Sequence, residues 1–156
     1  MATINSSYKN ADVRGVPAFE TLDTIIDSNL VAGAEPRIQE PVRLLLADNQ
    51  TLAQFTVVGL DSTGKLVKAT YNATLASAIV PIGVMAHGAT SGTSNTTKYG
   101  EVWLTGCYNA GSDDAGTDSP LIWDASFDTL AKKTTWQGVI GKPSLLFRSR
   151  LGGNAS

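Results

Sequence analysis

The chain has 156 residues, of which 42% are hydrophobic and 17% charged, and a formal net charge of −2. That length and composition fit one globular domain with an appended segment, and they argue against a disordered chain. No apolar run approaches the ~20 residues of a membrane-spanning helix, and a general nucleic-acid binder would be clearly basic.

Residues 1–14 are polar, with only Ile4, Tyr8 and Val13 as large apolar side chains. Such a stretch buries too little surface to offset its ordering entropy and reads as an arm that orders on binding. The opening residues lack the basic and apolar regions of a secretory signal. In the next stretch Phe19, Leu22, Ile26 and Leu30 approximate one helical face, with Pro17 at a first-turn position. Thr21, Thr24, Ile25 and Ile26 favour a strand instead. A short helix over 17–28 is the expectation, and Ala32-Gly33-Ala34-Glu35-Pro36 then separates an arm, 1–36, from a body, 37–156.

The body reads as short strands. Val42–Leu46 is the first, followed by an Asp48-Asn49-Gln50 turn; Thr56–Leu60 is the second. Asp61-Ser62-Thr63-Gly64 has the composition of a hairpin loop, and Lys65–Ala69 returns with strand alternation. After a loose Tyr71–Ala78 segment comes the apolar run Ile79–Ala86, whose Pro81 places its first part at an edge or outside the ladder. Thr90–Thr97 holds six Ser/Thr residues and is expected as an exposed loop. Tyr99–Cys107 is the strongest strand. A short helix is expected over Asp124–Lys133, capped by Asp124 or Ser126, with Phe127, Leu130 and Ala131 on one face. Val139–Ile140 and Leu145–Phe147 would close the sheet, and Leu151–Ser156 would fray.

Little in the chain carries chemistry. His87 is the single histidine and Cys107 the single cysteine, so no intrachain disulfide can form, which suits a reducing cytoplasm. His87 reads as a strand-end residue and Cys107 as a buried small hydrophobe. Gly111–Asp118 clusters three aspartates, but its spacing is not that of an EF-hand and the closing glutamate is missing. This stretch is the best candidate for a cation site in the chain, and turn formation is the other account of those residues. Trp103, Trp123 and Trp136 read as core or subunit-contact residues. Six acids and no bases lie between Glu101 and Asp128, and five bases and no acids between Lys132 and Arg150. Two facing patches, within one fold or across a subunit contact, explain this division. No catalytic set, metal site or cofactor is expected.

The runs Gln50-Thr51-Leu52-Ala53, Thr56-Val57-Val58-Gly59, Gly64-Lys65-Leu66-Val67, Pro81-Ile82-Gly83-Val84 and Val102-Trp103-Leu104-Thr105-Gly106 occur in an order that resembles the lambda-type head decoration, or capsid cement, proteins of tailed bacteriophages. The resemblance covers Leu30 to Asn109 well and the C-terminal third loosely. It implies a mainly β, compact β-clip-like fold with one or two short helices and an extended N-terminal arm. It also implies a virion structural protein that binds the outer surface of the phage head and stabilises it against internal DNA pressure. The partner would be the major capsid protein, engaged through the arm by Ile4, Tyr8, Val13 and Val16. Self-association would give a homotrimer, with a homodimer as the alternative, after synthesis in the cytoplasm of a bacterial host. The arm is longer than in that family, and the C-terminal basic stretch has no counterpart role. Two other functions compete: a carbohydrate-binding or tail-associated adhesion module, and a small β-clip nucleotide hydrolase.

Overall fold

The structure, a computed structural model, describes residues 29–135 and 144–149. The arm positions Ile4, Tyr8, Val13 and Val16, the 17–28 helix, Trp136, the Val139–Ile140 strand and the 151–156 tail lie outside the described residues.

The protein is mainly β. Its strands are β1 (Val42–Leu45), β2 (Thr51–Leu52), β3 (Val57–Leu60), β4 (Leu66–Lys68), β5 (Gly83–Met85), β6 (Ala89–Thr90), β7 (Tyr99–Trp103), β8 (Gly106–Asn109) and β9 (Leu145–Arg148). One α-helix among the described residues, α1 (Leu130–Thr135), and a single 3-10 turn at Leu75–Ser77 complete the fold. No helix among them is long and apolar enough to cross a membrane.

Five strands form an antiparallel sheet in the order β1-β7-β5-β3-β4. Its edges meet: Leu46, just past β1, bridges Leu66 of β4 in parallel, and the Ala47 N–H donates to the Leu66 carbonyl at 2.9 Å. Curling a sheet until its edges touch removes unpaired strand edges and encloses one face. Leu46, Leu52, Val58, Leu66, Met85 and Val102 fill that interior. Alternation sends neighbouring side chains outward, so Val57 and Val84 join a second core with Leu30, Tyr108, Leu121, Phe127, Leu145 and Phe147. The sheet is therefore buried on both faces over β3 and β5.

The hairpin loop folds as its composition dictates. The Asp61 carboxylate accepts from the Thr63 and Lys65 amides at 2.8 and 2.9 Å, and Gly64 takes φ +79°. In the Ile79–Ala86 run, Ile79 forms an antiparallel bridge with Thr70 ahead of Pro81, and the continuous strand begins at Gly83. Three expectations need correction.

The run Tyr99–Cys107 is two strands in two sheets. β7 ends at Trp103, and β8 pairs in parallel with β9. Gly106 makes the break, at φ +143°, where an added Cβ would sit 2.8 Å from the Tyr108 ring.

The helix expected at Asp124–Lys133 starts instead at Leu130. Asp124 accepts from the Ser126 amide and hydroxyl at 3.0 and 2.8 Å, a local bond that holds the chain in a turn rather than a helix. Thr129 caps α1 by accepting from the Lys132 amide at 3.2 Å.

The Ser/Thr-rich loop is anchored at two buried residues, Ser91 and Asn95. The Ser91 hydroxyl donates to the Ala47 carbonyl at 2.6 Å. The Asn95 amide donates to the Leu46 and Lys98 carbonyls at 2.8 and 2.9 Å, while its oxygen accepts from the Lys98 amide at 2.9 Å. The loop thus fastens the seam where the sheet closes.

Asn95→Ala should cost about 1–3 kcal/mol, because it removes the side-chain donor from the buried Leu46 carbonyl and one of two donors from the Lys98 carbonyl, which keeps the Leu46 N–H. Thr96→Ala, at an exposed neighbour, should stay within about 0.5 kcal/mol of the parent. Urea denaturation of the two variants measures the difference, and equal stabilities would refute the fastening role.

Candidate functional site

Strand register brings three ionisable side chains together on the outer face of β1 and β7. Arg43 lies opposite Glu101 in the ladder, with its Nε 4.0 Å from the carboxylate. The Ala86 N–H donates to the Glu101 carbonyl at 2.8 Å, which carries the chain past β5 and sets His87 Nε2 3.8 Å from Glu101 Oε2. The Arg43 guanidinium also lies 5.8 Å from the centroid of the Tyr99 ring. Sequence reasoning left His87 by itself, since Arg43, His87 and Glu101 are far apart along the chain and only the pairing of β1, β7 and the end of β5 unites them.

The chemistry open to this cluster is limited. The side chains of Arg43 and His87 are each 72% exposed, so water screens their attraction to Glu101. Among the described residues, no hydroxyl or thiol nucleophile lies in hydrogen-bond reach of a base in this cluster. Cys107 is buried, and burial pushes its thiol above the ordinary range, which keeps it protonated and unreactive. Burial also raises the Tyr108 phenol, whose hydroxyl donates to the Thr105 carbonyl at 2.9 Å. Among the described residues no three His, Cys, Asp or Glu side chains gather as they would to hold a metal. The outer face of β1 and β7 thus presents ionisable groups and an aromatic ring.

The junction of arm and body is the second element of the site. Residues 30–32, placed with the arm by the sequence, lie along β8 through an antiparallel bridge between Val31 and Tyr108. The Asn109 N–H donates to the Leu30 carbonyl and the Ala32 N–H to the Cys107 carbonyl, both at 2.9 Å. Leu30 is buried in the second core, while Val31, opposite Tyr108, is 44% exposed. The body therefore begins earlier than the boundary at residue 37. Thr105 braces the following stretch: its hydroxyl donates to the Arg37 carbonyl at 2.9 Å and accepts from the Gln39 amide at 3.1 Å.

Trp103 and Trp123 are half-buried against the second core and are not brought together as a platform. Trp103 stacks on Phe55 at 6.4 Å between centroids. Trp123 packs on Phe127 and Phe147 at 4.8 and 4.9 Å, linking the 121–127 segment to β9. Of the basic block, Lys132 pairs with Asp128 at 2.7 Å one helical turn away and Lys133 reaches the aspartate loop, while Lys142 and Arg150 lie outside the described residues.

No protein-family model matches the chain, and no characterised protein matches it in sequence.

Four carboxylates set the acid response. The Asn95 amide holds Asp48 below the ordinary value of 3.8, the Thr63 hydroxyl does so for Asp61, the Thr117 hydroxyl for Asp113 and the Ser126 amide for Asp124. A depressed folded-state value means the unfolded chain binds protons more readily, so this stability is present above the unfolded value and lost as pH falls through the folded ones. The melting temperature should be level down to about pH 5 and fall below about pH 4. Asp61→Asn should flatten that fall. An unchanged slope in differential scanning calorimetry would show that Asp61 is not one of the groups responsible.

Proposed function

We propose that the protein is a capsid decoration protein: it binds the outer surface of a phage head through its N-terminal arm and cements the shell against DNA pressure. The observation that carries this reading is the junction at Leu30–Ala32. There the Leu30 side chain is buried in the second core and its backbone hydrogen-bonds β8, so a pull on the chain that precedes it would be borne by the fold. The five runs whose order resembles that of the lambda-type decoration proteins support it as well. They fall on β2, β3, the turn into β4, the entry to β5 and the β7–β8 junction.

The arm would add a strand to a sheet of the major capsid protein, with main-chain hydrogen bonds supplying affinity and alternate side chains filling pockets. Ile4, Tyr8, Val13 and Val16 are the residues proposed for those pockets. A homotrimer presents three arms, and their effective concentration turns modest single contacts into tight attachment. Whatever binds only the assembled lattice stabilises it by mass action.

Deleting residues 1–14 should leave the melting temperature unchanged and abolish binding to expanded phage heads. Heads saturated with the intact protein should retain DNA to a higher temperature than bare heads. Saturation by the truncated protein at the same concentration would remove the arm as anchor, and identical DNA-release curves would reject the cement role. Binding of the isolated protein to a glycan array would favour adhesion, and hydrolysis of nucleoside triphosphates would favour an enzyme.

A further inference from the structure

Lys133 lies in the last turn of α1 and is only 3% exposed, a costly place for an ammonium unless other groups replace its water. The replacement comes from the aspartate loop. Lys133 Nζ donates to the Asp114 carbonyl at 2.8 Å. It passes so close to Gly116 that a Cβ there would lie 3.3 Å from the nitrogen. The Asp113 carboxylate, set by the Thr117 amide and hydroxyl at 2.8 and 2.6 Å, faces the same charge.

The loop grips the other end of the helix too, since Asp114 Oδ1 accepts from the Leu130 amide at 2.7 Å. One aspartate therefore engages the start of α1 with its carboxylate and the final turn with its carbonyl. The loop follows β8, and α1 precedes β9, so this grip closes the parallel β8–β9 pair into a ring of contacts.

We propose that Gly111–Asp118 is a seat for an ammonium cation, occupied by the chain's own Lys133, and that this seat latches α1 and β9 onto β8. The loop offers this charge the Asp114 carbonyl oxygen, with the Asp113 carboxylate nearby adding a favourable field. The cation is tethered, so the latch needs no free metal and is set when α1 reaches the loop. The seat owes nothing to the capsid reading and stands or falls separately.

The test is native-state hydrogen exchange on the full chain. Lys133→Met keeps most of the stem and removes the charge. It should speed exchange of the Leu130, Thr117, Gly106 and Ala110 amides by at least about tenfold relative to the Leu46 and Ala47 amides of the barrel seam. Lys133→Ala should do the same, and methylammonium chloride should restore its protection where tetramethylammonium chloride at equal concentration does not. Parent-like protection in Lys133→Met, or a uniform loss that includes Leu46 and Ala47, would overturn the latch. Absence of rescue by methylammonium would overturn the seat. If the alanine variant does not fold, the methionine variant decides the latch, and recovery of folded alanine variant on adding methylammonium decides the seat.

Discussion

Closure of the five-stranded sheet at Leu46 and Leu66 is the constraint on which the rest of the molecule rests. One parallel bridge and the Ala47–Leu66 hydrogen bond join strands that are otherwise the sheet's two edges. Only when they meet is there an inside for Leu52, Val58, Met85 and Val102 to fill. Short strands carry few ladder bonds, so so small a seam needs support. It comes from Ser91 and Asn95, and from Lys65, whose ammonium spans the Asp48 carboxylate and the Asn95 carbonyl at 3.3 Å each. A polar loop thus does the work of a longer strand.

Once closed, the barrel offers its outer face as a wall for a second core. Val57 and Val84 are the shared bricks, and Tyr108, Phe127 and Phe147 are laid against them. The arm's root, β8, β9 and the 121–127 segment all belong to this outer layer. The two cores thus share a wall, and Leu30 ties the chain that precedes it to the outer one.

Local rules made much of this legible. Asp61 and Gly64 fix a hairpin by side-chain hydrogen bonding and positive φ, and alternation in Lys65–Ala69 marks a strand with one buried side. Pro81, which lacks an N–H, delays the continuous strand to Gly83. The errors arose where distant partners override local preference. Val102 to Cys107 reads as continuous strand, yet Gly106 turns it because Tyr108 and Ile38 occupy the space a Cβ would need. Asp124 and Ser126 signal a helix cap equally well whether or not a helix follows. Asn95 looks like any loop asparagine until β1 and β7 bring two carbonyls to its amide. The convergence of Arg43, His87 and Glu101 depends wholly on register, and the aspartates of 113–118 acquire their meaning only from Lys133, supplied by a helix later in the chain.

The parallel pairing of β8 with β9 has a consequence for how the chain comes together over time. Every barrel strand has been synthesised once Trp103 is added, so the closed sheet can form while the rest is still emerging. The outer layer cannot, because β8 lacks its neighbour until Leu145–Arg148 follows, and a parallel pair must wait for a long crossover to close. During that interval Tyr108 and the outward faces of Val57 and Val84 have no complete cover. The nascent protein is thus a finished barrel carrying an unfinished apolar wall, and its hazard of sticking to a neighbour is concentrated in that stage.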